Sequence, residues 1–149
     1  KQPNTVRLAN ESGIMSRYQA KFVLLGLLVL VLGVLSRTID LQFPIFNKYL
    51  GDALYAVLFY LALGALRPQS PVARRTLLTI VFVVLVECFQ LTLIPLKMRQ
   101  AGGLPGVLSI LLGTKFSWYD MLAYFIGIAA IFQLDLRILS KRAGDAGER

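Results

Sequence analysis

Four ionisable residues, Arg37, Asp52, Glu87 and Asp120, fall at the same end of the hydrophobic segments of this 149-residue chain, whichever way it is threaded. A charge at the centre of a membrane helix costs roughly 2.5–3.5 kcal/mol on insertion scales, so such a group faces a bundle interior or a wet cavity and has a partner or a task. Glu87 is the sharpest case. A carboxylate in lipid is either protonated or paired with a cation, and Arg37 and Arg99 are the candidate cations. Gln90 lies three residues on, on the same helical face, and adds amide groups that a purely structural ion pair does not require. A different chemistry, two carboxylates sharing a proton, would use Asp52 with Asp120 or Glu87 with Asp120. Helical spacing also aligns Asp120 with Tyr124 and Gly127, and Asp52 with Tyr55 and Phe59. The aromatic residues read first as an interfacial belt or core. Gly26 and Gly33, in line with Arg37, read as a stripe for close helix approach.

Hydrophobic residues make up 56% of the chain and charged residues 16%, with a mean hydropathy of +0.66. These values exclude an ordinary soluble domain and indicate an integral membrane protein. The sequence has no histidine, which removes the commonest general base and metal ligand. Cys88, the single cysteine, lies inside an apolar run. It has no intramolecular disulfide partner and is expected to be a small buried hydrophobe. No catalytic residue, metal or cofactor is therefore assigned. The net charge of +8 is spread along the chain rather than gathered in one patch, so it reads as a topology signal and an anionic-lipid contact, not as a nucleic-acid footprint.

Four apolar runs are about long enough to cross the ~30 Å hydrocarbon core as helices: Tyr18 to Ser36, Leu50 to Leu66, Thr76 to Ile94, and Trp118 to Leu134. Pro44 interrupts the first loop, and Pro68 and Pro71 close a tight hairpin between the second and third spans. Between Pro95 and Ser117 the apolar stretch is too short to cross. The glycines around Pro105 predict a short interfacial or re-entrant helix there, or a surface loop dipping into the headgroups. The expected fold is an all-α integral membrane protein: an up-and-down bundle of four transmembrane helices with that short helix between the third and fourth. Residues 1–17 form an N-terminal tail without the apolar core of a secretory signal, 18–135 the membrane domain, and 136–149 a basic C-terminal tail. Eleven of the 16 Lys and Arg residues fall on the side of the termini and five on the other. The positive-inside rule then places both termini in the cytoplasm. The polar residues would converge on the extracytoplasmic side. The cytoplasmic halves offer only Thr76 and Thr79, which argues against a transport path.

Glu87-Cys88-Phe89-Gln90, then Arg99, then Ser117-Trp118-Tyr119-Asp120 with Ala123-Tyr124-Phe125-Ile126-Gly127, resembles the E-x-x-Q, R, D-x-x-x-(N/Y)-x-x-G pattern of VanZ-like membrane proteins. It resembles more closely a family of small bacterial membrane proteins of unknown function, sometimes labelled ribosomal-maturation proteins. Gly51-Asp52-Ala53-Leu54-Tyr55-Ala56 also fits that family. The resemblance extends from Arg37 to Gly127. It departs from VanZ at Asp52, where histidine or lysine is frequent, and at Lys115 and Ser117, where arginine and serine commonly precede the aspartate. It implies a place in the bacterial cell envelope. The expected function is a non-enzymatic inner-membrane protein binding a lipid headgroup or cell-envelope precursor at a polar site of Arg37, Asp52, Glu87, Gln90, Arg99, Asp120 and Tyr124. Two arginines and a short helix N-terminus would suit a phosphate or carboxylate; the three acids would suit a zwitterionic or partly cationic group. One alternative is a small accessory or structural subunit docking on a larger membrane protein complex. Another is an intramembrane carboxylate-pair enzyme, although the Gly-x-Gly-Asp signature of intramembrane aspartyl proteases is absent. Membrane lipids and such a complex are the expected partners, and nucleic acid is not.

Overall fold

The structure, a computed structural model, describes residues 4–38 and 44–139. Among them there are six helices and no strand: α1 (Asn4–Thr38), α2 (Pro44–Leu66), α3 (Val72–Leu91), α4 (Ile94–Ala101), α5 (Gly103–Leu112) and α6 (Trp118–Leu134). A π turn, Asp135–Leu139, prolongs α6. The prolines act as helix starts: Pro44 opens α2, Pro71 precedes α3 and Pro95 sits in the first turn of α4. A missing N–H costs nothing there, because those amides have no intrahelical partner.

Three stretches are long and apolar enough to cross a membrane: Gln19–Ser36, Tyr49–Leu66 and Trp118–Arg137. A fourth crossing arises only if α3 and α4 count as one broken span, bent by 71°. The break has a local cause. Leu93 adopts the left-handed conformation at φ 59. The Thr92 hydroxyl holds the turn, donating to the Phe89 carbonyl at 2.7 Å and accepting from the Ile94 amide at 3.3 Å. The single short helix expected before the last span is two, α4 and α5. They are joined where Gly102 and Gly103 take φ 68 and 59, a region that costs an ordinary residue roughly 1–2 kcal/mol. The expected boundary at residue 17 falls inside α1, which is one continuous helix of 35 residues. Residues 1–3 and 140–149 of the expected tails lie outside the described residues.

α2 is the hub, packing against α1, α3 and α6, and α6 also packs against α3. In lipid there is little hydrophobic drive between helices, so close approach of small residues does much of the work. Gly127 of α6 meets the α2 backbone so closely that an added Cβ would lie 2.4 Å from the Ala53 carbonyl oxygen. Gly64 of α2 receives the Phe22 ring of α1, 2.5 Å from where a Cβ would be. The expected stripe on α1 behaves differently: a Cβ on Gly33 would meet nothing within 4 Å, and on Gly26 only Leu58 and Leu61 at 3.9 Å. Leu24, Leu27, Leu28, Val31 and Val34 are exposed, making α1 the outer helix. Cys88 is exposed as well, contrary to expectation. Glu87 and Gln90 turn inward on α3, and the residue after Glu87 is rotated by about 100° away from them.

Candidate functional site

Three helices bring the predicted residues together. Asp52 of α2, Glu87 and Gln90 of α3, and Asp120 and Tyr124 of α6 are all buried. Glu87 is 1% exposed and Gln90 2%. α6 starts just after Ser117, whose extended backbone (φ −147, ψ 127) makes it the N-cap. The Ser117 backbone N–H donates to Glu87 Oε2 at 3.4 Å, and Gln90 Nε2 donates to Glu87 Oε1 at 3.5 Å; the Tyr124 phenol lies close enough to act on the carboxylate. These two contacts exceed the usual ~2.7–3.2 Å, so the donors sit beside the carboxylate without clamping it. Asp120 lies in the first turn of α6, where the helix dipole favours negative charge. Asp120 and Asp52 both act electrostatically on Glu87, and Tyr124 feels all three carboxylates and Tyr55. Gln90 in turn packs on Gly113, where φ is +75 and a Cβ would lie 2.7 Å from Gln90 Nε2.

The expected Arg99 partner is not what Glu87 meets. Arg99 is exposed on α4, because the 71° break turns α4 away from the axis of α3. Arg37 lies in the last turn of α1, and its side chain is outside the described residues. Among the described residues, the surroundings of Glu87 are an amide, a phenol and two further carboxylates. No group of three or more His, Cys, Asp or Glu side chains is placed to hold a metal ion among them. The same end carries exposed aromatic residues: Trp118 and Tyr119 are 75% and 68% exposed, Phe116 stands edge-on to Trp118 at 5.0 Å, and Tyr49 lies 5.9 Å from Tyr119.

A second buried polar cluster occupies the other end of the same three helices, and sequence reasoning missed it. Arg75 Nη2 of α3 bonds Asp135 Oδ2 at 2.8 Å, with the two side chains 5% and 1% exposed. The Tyr60 hydroxyl of α2 donates to the same oxygen. The guanidinium lies over the Phe22 ring at 4.9 Å and the Tyr60 ring at 5.7 Å. Thr79 donates to the Arg75 carbonyl at 2.9 Å. That half of the bundle therefore holds far more than Thr76 and Thr79. The available signal was periodicity: Arg75 and Thr79 are a turn apart, and Asp135 continues the Asp120, Tyr124, Ile128, Ile131 stripe of α6.

The DUF2809 family, described as proteins of unknown function, matches residues 41–128, and the chain belongs to that family. The matched region holds the whole Glu87 cluster described above, together with Tyr60 and Arg75, and stops short of Asp135. The match carries no link to VanZ. No solved structure matches the chain.

Proposed function

We propose that this is a non-enzymatic, multi-pass protein of the bacterial inner membrane whose Glu87 cluster receives the headgroup of a lipid or lipid-linked envelope precursor. The observation that carries the reading is the gathering of Asp52, Glu87 and Asp120 at one end of α2, α3 and α6. Acids so placed favour an amine-bearing, zwitterionic headgroup over a bare phosphate. The exposed Trp118 and Tyr119 support the depth, since such residues collect at the headgroup level. The likeness of the Glu87, Gln90, Arg99 and Asp120 pattern to VanZ-like proteins points the same way, toward the envelope.

In this reading both termini are cytoplasmic and the Glu87 cluster lies on the opposite side. Arg75 is committed to an ion pair, and setting it aside leaves ten basic residues against five, so the asymmetry persists. Cysteines placed at Ser12 and Ser140 in a Cys88→Ser background should resist an impermeant thiol reagent in intact cells; labelling would invert the topology. The binding test is purification in mild detergent followed by mass spectrometry of co-purifying lipids. An amine-bearing species enriched with the wild type and lost with Glu87→Gln is the expected result. A stoichiometric protein and no enriched lipid would replace this reading with the accessory-subunit one.

A further inference from the structure

The two polar clusters lie on one continuous seam. On α2 the buried stripe runs Asp52, Ala56, Tyr60; on α3 it runs Arg75, Thr79, Val83, Glu87; on α6 it runs Tyr124, Ile128, Ile131, Asp135. These helices pack on one another. Ala56, Val83 and Ile128 form a shared core cluster with Tyr124, the apolar layer between the two ends. From Thr79 to Glu87 the interruption is only about 12 Å at 1.5 Å per residue.

The Arg75 end is not satisfied by its own contacts. Arg75 Nε and Nη1 and Asp135 Oδ1 are buried and have no hydrogen-bond partner, although buried donors and acceptors in folded proteins almost always find one. Water entering from the near face would supply what they lack. We infer that α2, α3 and α6 enclose a proton-conducting seam, closed in this structure by the Ala56–Val83–Ile128 layer and opened when that layer wets. Hydrophobic constrictions gate by such drying and wetting, and buried ionisable groups in membranes mark proton relays. A proton taken from water at one face passes along the water file and the flanking hydroxyl and carboxylate groups and is released at the other face; no other reactant is consumed. Asp135 cancels the charge of Arg75, removing the barrier that an unpaired arginine sets against protons. The groups facing Asp135 are Tyr60 of α2 and Arg75 of α3.

The seam uses the Glu87 cluster as its far end but does not require a lipid there. The test is the full-length protein in vesicles of phosphatidylethanolamine and phosphatidylglycerol, with a pH-sensitive dye inside and a potassium–valinomycin potential driving protons. The wild type should acidify the interior several-fold faster than protein-free vesicles. Asp135→Asn, which leaves the Arg75 charge bare, should fall to the protein-free rate. Ile128→Ala, which thins the layer and keeps both polar ends, should exceed the wild type and decides the matter if Asp135→Asn does not fold. A wild-type rate equal to protein-free vesicles, a folded Asp135→Asn at the wild-type rate, or Ile128→Ala no faster than wild type overturns the seam. Lipid retention measured on the same preparations separates the two readings: retention without flux leaves the headgroup site standing, and flux without retention leaves the seam.

Discussion

At one end of the bundle Arg75 and Asp135 meet at 2.8 Å, with Tyr60 on the same carboxylate oxygen. At the other, Glu87 has Asp120 and Asp52 as electrostatic neighbours and draws on the Ser117 amide, Gln90 and Tyr124. Opposite charges meet in the first, and three carboxylates are gathered in the second. A paired charge mainly ties helices to one another. Gathered like charges repel one another and add little to that tie. The two ends of the bundle thus differ in how their charges are arranged.

The largest effect that would break this contrast is at the pair. Arg75→Gln or Asp135→Asn strands a buried charge and should cost about 3–5 kcal/mol in unfolding of the detergent-solubilised protein. The double change Arg75→Met with Asp135→Leu should recover most of it, because well-packed apolar replacements of buried pairs are often neutral or stabilising. If the single changes are mild, the pair is not a tie. Next in size is the backbone contact that holds α2 and α6 together between the two ends. Gly127→Ala forces a Cβ toward the Ala53 carbonyl and should cost about 1–3 kcal/mol, whereas Gly33→Ala, with open space around it, should stabilise by about 0.5–1 kcal/mol.

At the other end Glu87→Gln should move stability by no more than about 1 kcal/mol, the scale of one hydrogen bond. The amide oxygen can still accept from Ser117, and one of three crowded carboxylates is gone. A loss as large as that of Asp135→Asn would show a hidden cation on Glu87 and erase the contrast. Cys88→Ser should be smallest, within about 0.5 kcal/mol, and the native thiol should react with a lipid-soluble maleimide, as an exposed position on α3 requires.

The Glu87 cluster was legible because it follows from hydropathy and alternation alone: spans that run up and down bring Asp52, Glu87, Gln90 and Asp120 to one end. Its chemistry was less so. Arg99 follows α3 closely in sequence, but the left-handed Leu93 turns the chain before Arg99 can fold back, and one torsion angle is not written in a composition. The Arg75 end was hidden by the same habit that found the spans. Arg75 stands just after the Pro68–Pro71 hairpin and Asp135 just past the last apolar run at Leu134, so hydropathy sets both outside the spans, although both continue inward-facing stripes. α1 as an outer helix was likewise invisible, because an apolar run looks the same whether it faces protein or lipid.

The pairing of Tyr60, Arg75 and Asp135 also has a schedule. Tyr60 and Asp135 are 75 residues apart, and at ~5–20 residues per second of synthesis that interval is roughly 4–15 s. Arg75 precedes Asp135 by 60 residues, so for roughly 3–12 s of that interval it has been made and its carboxylate has not. The last helix therefore does more than complete the bundle: it brings the carboxylate that an earlier-made arginine pairs with. A chain cut short before Asp135 leaves Arg75 without that carboxylate.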